Sequence, residues 1–155
     1  RVFEDILFSQ KIPYTIVGGI SFYDRREVKD ILAFLKIAIS DTDLISFLRT
    51  INLPRRGLGE TALEKLTKAA AERQMPIVSF CQELLTFPAI CPDLKLSAKQ
   101  KEGLKNYLHI LKSLRQEQGR MKIHELIEEA IRASQYLAYI KADPDTFQDR
   151  KENLD

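Results

Sequence analysis

Between Asn52 and Leu63 the chain reads Asn-Leu-Pro-Arg-Arg-Gly-Leu-Gly-Glu-Thr-Ala-Leu, and no other stretch constrains the fold as tightly. Pro54 stops the helix that leads into it, because proline has no amide hydrogen and its ring clashes with the preceding turn. Gly57 and Gly59 allow positive φ and let the backbone approach a ligand closely. An amphipathic helix begins directly afterwards, so the segment reads as a helix-hairpin-helix, with Leu58 tucked between the two helices as its anchor. The start of the second helix offers unpaired N–H groups and the positive end of the helix dipole. Arg55 and Arg56 add charge that can form forked hydrogen bonds to phosphate. Such a unit grips a sugar-phosphate backbone without reaching base edges. A Gly-x-Gly after a helix is equally the signature of a C-cap and tight turn, so the flanking sequence has to decide.

It places helices on both sides. Leu44, Phe47, Leu48 and Ile51 recur at helical spacing before the hairpin, and Leu63, Leu66, Ala69 and Ala70 do so after it, as far as about Arg73. Upstream, Val2, Phe3, Ile6 and Leu7 open the chain on a helix, and Pro13–Val17 reads as a short strand ending at the Gly18-Gly19 turn. Asp24 and Glu27 have the spacing of a capping box, ahead of a helix with Val28, Ile31, Leu32 and Leu35 on its buried stripe. Lys29 and Lys36 stand two turns apart on one face of it. Downstream, Met75-Pro76 starts a short helix, and two prolines mark a loop from Thr86 to Leu96. Ser97 and Gln100 cap a long helix that ends near Gly119. A further helix runs from Ile123 to Ile131, with Tyr136–Ile140 continuing after a break. Asp143-Pro144-Asp145 reads as a mobile loop, and Arg150–Asp155 as a helix barely begun. The absence of an initiating Met and this ending suggest a piece of a larger protein.

Composition excludes several classes. At 155 residues, 45% apolar and 30% charged, the chain has the makeup of a globular domain. It has neither a leader nor an apolar run near the ~20 residues that span a bilayer, so a cytoplasmic location is expected. A net charge of +2 creates no global field, and any nucleic-acid contact must come from local placement of cations. Cys81 and Cys91, the two cysteines, form no metal motif and read as buried, reduced thiols. There is no Gly-x-x-x-x-Gly-Lys-Ser/Thr phosphate loop. His124-Glu125 opens like a zinc-protease helix, but Glu128 stands where the second His should be. No Asp occurs between Thr61 and Pro92, which argues against a glycosylase that follows its hairpin with a catalytic Asp.

Ile12-Pro13-Tyr14-Thr15-Ile16-Val17-Gly18-Gly19, Phe22-Tyr23-Asp24-Arg25, Glu27-Val28-Lys29-Asp30, Leu35, Asn52-x-Pro-x-Arg-Gly-Leu-Gly and Glu152-Asn153-Leu154 occur in that order. Together they resemble the UvrD/PcrA/Rep family of superfamily 1 DNA helicases, in particular its bacterial PcrA/UvrD branch. The resemblance implies a mostly α chain. Residues 1–17 would be the helix-strand edge of the second RecA-like α/β domain, and residues 18–155 most of the helical inserted subdomain, 2B, incomplete at its C-terminus. It implies that Arg55, Arg56, Gly57, Leu58 and Gly59 contact duplex DNA, with Lys29 and Lys36 touching the same duplex. Thr61 stands one residue before the position, here Ala62, where some members carry a phosphate-bonding Thr. No catalytic residue, metal or cofactor site is expected within the chain; ATP and Mg2+ belong to the parent enzyme. The expected partners are duplex DNA at a single-strand/double-strand junction, the remaining helicase domains, and repair or transcription proteins, with no membrane. Two other readings stay open: a helical protein-interaction module whose glycine turn is only structural, and a self-sufficient nuclease or glycosylase.

Overall fold

The apolar stripes of the chain fold into helices that enclose one core. The computed structural model describes residues 2–13 and 21–154, and within them there are nine α-helices, two short 3-10 turns and no strand. The helices are α1 (Val2–Ser9), α2 (Arg26–Ile39), α3 (Leu44–Thr50), α4 (Glu60–Glu72), α5 (Ile77–Thr86), α6 (Ala98–Glu117), α7 (Ile123–Ala133), α8 (Tyr136–Ile140) and α9 (Pro144–Glu152). Pro13 is described and lies in no strand, while the rest of the expected strand to Val17 and the Gly18-Gly19 turn fall on residues 14–20, outside the described residues.

α2 packs on α3, α6 and α7, and α5 bridges α4 and α6. The centre is formed by Phe34 from α2, Phe47 from α3, Leu66 from α4, Phe80 from α5, and Leu104, Tyr107, Leu111 and Leu114 from α6. Each large apolar side chain taken fully out of water contributes about 1.5–3 kcal/mol, so these helix faces dominate the stability. The thiol of Cys81 lies in this core, and burial pushes its pKa up to about 12, which makes it inert. Cys91, expected to be buried, is half-buried; both cysteines are free.

Helix ends follow local chemistry where no tertiary partner competes. Ser97 and Gln100 form the expected box at α6, with the Gln100 amide donating to Ser97 Oγ at 3.2 Å and the Ser97 amide to Gln100 Oε1 at 2.9 Å. The box expected at Asp24 and Glu27 is absent. α2 begins at Arg26 with no side-chain cap. Asp24 lies in a 3-10 turn and pairs with Lys29 Nζ at 2.7 Å. Glu27 is buried and accepts from Asn153 Nδ2 at 2.6 Å. A charge-assisted bond in a dry site outweighs a solvent-exposed cap.

The C-terminal segment also departs from expectation. Pro144 starts α9 rather than a loop, since proline's missing N–H costs nothing in the first turn of a helix. Arg150 and Lys151 therefore end a helix instead of beginning one. The break after α7 lies at Gln135, whose φ of +56° reverses the chain into α8.

α3 depends on Asp43. Its carboxylate accepts from the Ser46 amide at 2.9 Å and from Ser46 Oγ at 2.7 Å. The Ser46 amide is the main reason its pKa lies below the usual carboxylate value. We expect Asp43→Ala to lower unfolding free energy by about 0.5–2 kcal/mol. A lowered folded-state pKa means that the cap's contribution is complete above the ordinary Asp pKa and is lost as pH falls through the lowered one. Urea melts of both proteins at neutral pH and at progressively acidic pH should therefore converge.

Candidate nucleic-acid interface

The loop between α3 and α4 is closed by Asn52. Its Nδ2 donates to the Leu58 carbonyl at 2.5 Å, and its Oδ1 accepts the Arg56 amide at 3.2 Å. Leu58, 1% exposed, enters the core as the anchor read from the sequence. Gly57 has φ +78°, a left-handed value that strains any residue with a Cβ. The Leu53–Pro54 bond is cis.

Arg56 points inward. It is 6% exposed, and its Nη1 faces the carbonyls of Thr50 at 3.4 Å, Ile51 and Leu53 at 3.0 Å, and Pro54 at 3.3 Å. Its Nε donates to Asn106 Oδ1 at 3.0 Å. The guanidinium lies 5.5 Å from the centre of the Tyr107 ring, and the Tyr107 hydroxyl meets Thr50 Oγ1 at 2.6 Å. Burial pushes the pKa of Arg56 down to about 10, which leaves it cationic at neutral pH. It thus brings positive charge to the negative end of α3; Nη1 has two hydrogens to share among these carbonyls, the Thr50 carbonyl also accepts the Leu53 amide at 3.0 Å, and Nη2 is buried without a hydrogen-bond partner. The mobile, solvent-facing charge expected of this residue is not what the structure contains, because the end of α3 is buried and only a long cation can reach it.

α6 is pressed against this loop at Gly103. A Cβ there would collide with the Arg56 carbonyl and lie 2.8 Å from Arg56 Cβ. The sequence carried a hint of this contact, since a lone glycine inside a helical pattern costs up to ~1 kcal/mol relative to Ala and needs a packing reason.

The outer side of the loop faces an open basin of about 550 Å³ lined by Arg26, Asn52, Arg55, Gly57, Leu58, Gly59, Lys99 and Tyr139, with Leu53 behind them. Arg55 is exposed. The stem of Lys99 passes over Gly57, with Cγ and Cε 3.5 Å from where a Cβ would be. Gly59 differs from Gly57: its φ of −68° and ψ of 170° suit any residue, and nothing lies within 4 Å of a Cβ built on it. It occupies the N-cap of α4 without capping it, so the positive end of α4 opens onto unfilled space. Thr61 is exposed on the first turn, beside a hollow of about 160 Å³ that it shares with Ala62, Lys65, Lys95, Leu94, Leu96 and Gln100.

Of the residues expected at this site, Arg55, Gly57, Leu58 and Gly59 come together at the basin. Arg56 lies behind it, and Thr61 next to it. Lys29 and Lys36 are exposed on α2 but do not line it. Arg26 and Lys99 do line it and were not singled out in the sequence. Each belongs to a helix remote in sequence from the hairpin, and local spacing carries no signal for them.

Among the described residues a helical body sets an uncapped helix N-terminus, two glycines and three cations around one basin, an arrangement that can hold an anion. Over residues 1–155 the chain matches the family model described as the UvrD-like helicase C-terminal domain, and it belongs to that family. It is 36% identical over 156 positions to the ATP-dependent DNA helicase PcrA of Bacillus subtilis, covering 100% of this chain and 20% of the relative. It is 33% identical over 157 positions to PcrA of Staphylococcus aureus, and 31% identical over 156 to PcrA of Staphylococcus epidermidis, with the same coverage. The chain thus spans about a fifth of the length of these relatives.

Arg56→Ala should lower unfolding free energy by roughly 2–4 kcal/mol in urea melts, because it strips donors from buried carbonyls. Gly103→Ala should destabilise as well, despite its better helix propensity. An unchanged or raised urea midpoint for Gly103→Ala would mean that α6 is not in close contact with the loop.

Proposed function

We propose that this chain is the duplex-DNA-binding and regulatory subdomain of a longer, ATP-dependent helicase that moves 3′ to 5′ along one strand. In this reading residues 1–17 belong to the edge of a RecA-like domain and residues 18–155 form the inserted helical subdomain. α3, the Asn52–Gly59 loop and α4 act as a helix-hairpin-helix. The observation that carries the reading is the open space over Gly59. Neither backbone conformation nor internal packing requires glycine there, and the space it leaves lets a ligand come close to the backbone.

A phosphate over Gly59 would face the positive end of α4 within the basin that Arg55, Lys99 and Arg26 line. These contacts read backbone position and not sequence, which suits a module that holds whatever duplex reaches the junction ahead of the motor. Thr61, Lys29 and Lys36 would touch flanking phosphates. Among the described residues no cluster of three or more His, Cys, Asp or Glu side chains fits a Mg2+ ion. In this reading ATP and Mg2+ belong to other parts of the longer protein, and no step here runs through them. No described helix is long and apolar enough to cross a membrane; the reading places the chain in the cytoplasm beside the DNA. The reading also includes the remaining helicase domains and repair or transcription proteins as partners.

The purely structural account of the glycine turn predicts that filling Gly59 lowers stability. Its ordinary φ and empty surroundings argue against any large loss from strain or collision.

The test is fluorescence anisotropy with a tailed duplex across a salt series. Arg55→Ala and Lys99→Ala should each weaken binding several-fold and reduce the salt slope by about 0.9 per lost phosphate contact. Gly59→Val should weaken binding per folded molecule, with only the small fall in melting temperature that losing an N-cap glycine brings. Wild-type affinity in all three would sink the proposal, as would a Gly59→Val protein whose only defect is thermal.

A further inference from the structure

A second concave surface lies away from the basin. α5, the segment from Pro88 to Leu96 and the start of α6 enclose a groove of about 410 Å³, within the ~300–1,000 Å³ typical of binding sites. Its floor is apolar. Leu84 belongs to the core, while Leu85, Leu94 and Leu96 are packed against the core but only half-buried. Its rim carries Lys95, Lys101 and Lys105 and no carboxylate. The walls are fixed in place: Arg73 Nη2 donates to the Ile90 carbonyl at 2.8 Å, the Leu94 amide to the Cys91 carbonyl at 3.0 Å, and the Ser97–Gln100 box holds the far end. Beside the Pro88 lip, Phe87 is 66% exposed.

We propose that this groove docks an acidic, amphipathic helical segment of a partner protein. The apolar floor asks for large aliphatic or aromatic anchors, and the lysine rim with no opposing charge asks for carboxylates flanking them. Lys101 and Lys105 are one turn apart, about 6 Å along α6. Acidic residues one turn apart on a facing helix repeat at the same spacing, and apolar anchors on the adjacent face would enter the groove, the usual helix-in-groove arrangement. Duplex DNA could satisfy the lysines, but it has no side chains to fill the floor. The groove also lies around α6 from the basin, since Lys101 and Lys105 project about 160° and 120° away from Lys99. A partner seated here would leave the glycine loop free, so the chain could hold DNA and a protein together.

A random-peptide phage library selected against the immobilised chain tests this, with enriched peptides synthesised and titrated by fluorescence polarisation. The expected peptides are acidic with at least two large apolar residues. The double variant Lys101→Glu/Lys105→Glu should bind them about tenfold or more weakly, while melting like the wild type. Lys141→Glu, an exposed change just after α8 and outside the groove lining, should bind them unchanged, and saturating duplex should not displace them. Failure to enrich any peptide would overturn the proposal, as would enrichment of basic or uncharged ones, indifference to the charge reversal, or competition by duplex. The enrichment and charge-reversal outcomes do not depend on where duplex binds; only the competition arm does.

Discussion

The carbonyl groups of Thr50, Ile51, Leu53 and Pro54 all face one nitrogen of Arg56. The C-terminal end of a helix leaves carbonyls without partners, and here that end is enclosed by α6, where water cannot serve. A guanidinium is suited to the task because it carries several donors in a plane and brings positive charge to the negative end of the helix dipole. Its flat face then rests on Tyr107, and Nε joins Asn106, so the same side chain ties α3 to α6. Leu58 can enter the core, Gly57 can take its left-handed turn, and Gly59 can start α4 at an open surface only after this reversal is in place. The exposed Arg55 and the buried Arg56 are neighbours with opposite duties.

A second polar cluster closes the other side of the basin. Asp30, 1% exposed, accepts from Arg49 Nε at 2.7 Å and from the Tyr136 hydroxyl at 2.6 Å. The Tyr136 oxygen accepts in turn from Arg150 at 3.1 Å. Burial raises the pKa of Tyr136, and the hydrogen bond to Asp30 and its charge raise it further, so it stays a neutral donor. Asn153 bridges Glu27, its acceptor at 2.6 Å, and Arg25, which donates to it. These bonds fasten α8 and α9 to the start of α2. Arg26 and Tyr139, which bond each other at 3.2 Å, consequently stand together at the edge of the basin.

Most helices were legible because their buried stripes repeat at helical spacing and their ends carry local signals: Pro54, the Ser97–Gln100 box and the stop near Gly119. α9 was missed because its composition is polar and its attachment rests on Arg150 and Asn153 meeting Glu27 and Tyr136, residues more than a hundred positions away in the case of Asn153 and Glu27. Leu44 and Leu48 satisfy the periodicity of α3, yet they are 40% and 43% exposed. A helix has a stripe on each side, and the pattern alone does not tell which of them a neighbour covers.

The sequence by itself determined that a helix, a glycine turn and a second helix follow one another at residues 44–72, with Leu58 inward and two arginines at the bend. These are local matters of spacing, proline and glycine, and they need no partner. Which arginine faces solvent was decided by the packing of α6 beside the end of α3, where the carbonyls of Ile51, Leu53 and Pro54 face a cation from inside. The same closure delivered Lys99 to Gly57 through the close contact at Gly103. The cations of the basin therefore come from three separate segments, and only the packed chain brings them to one place.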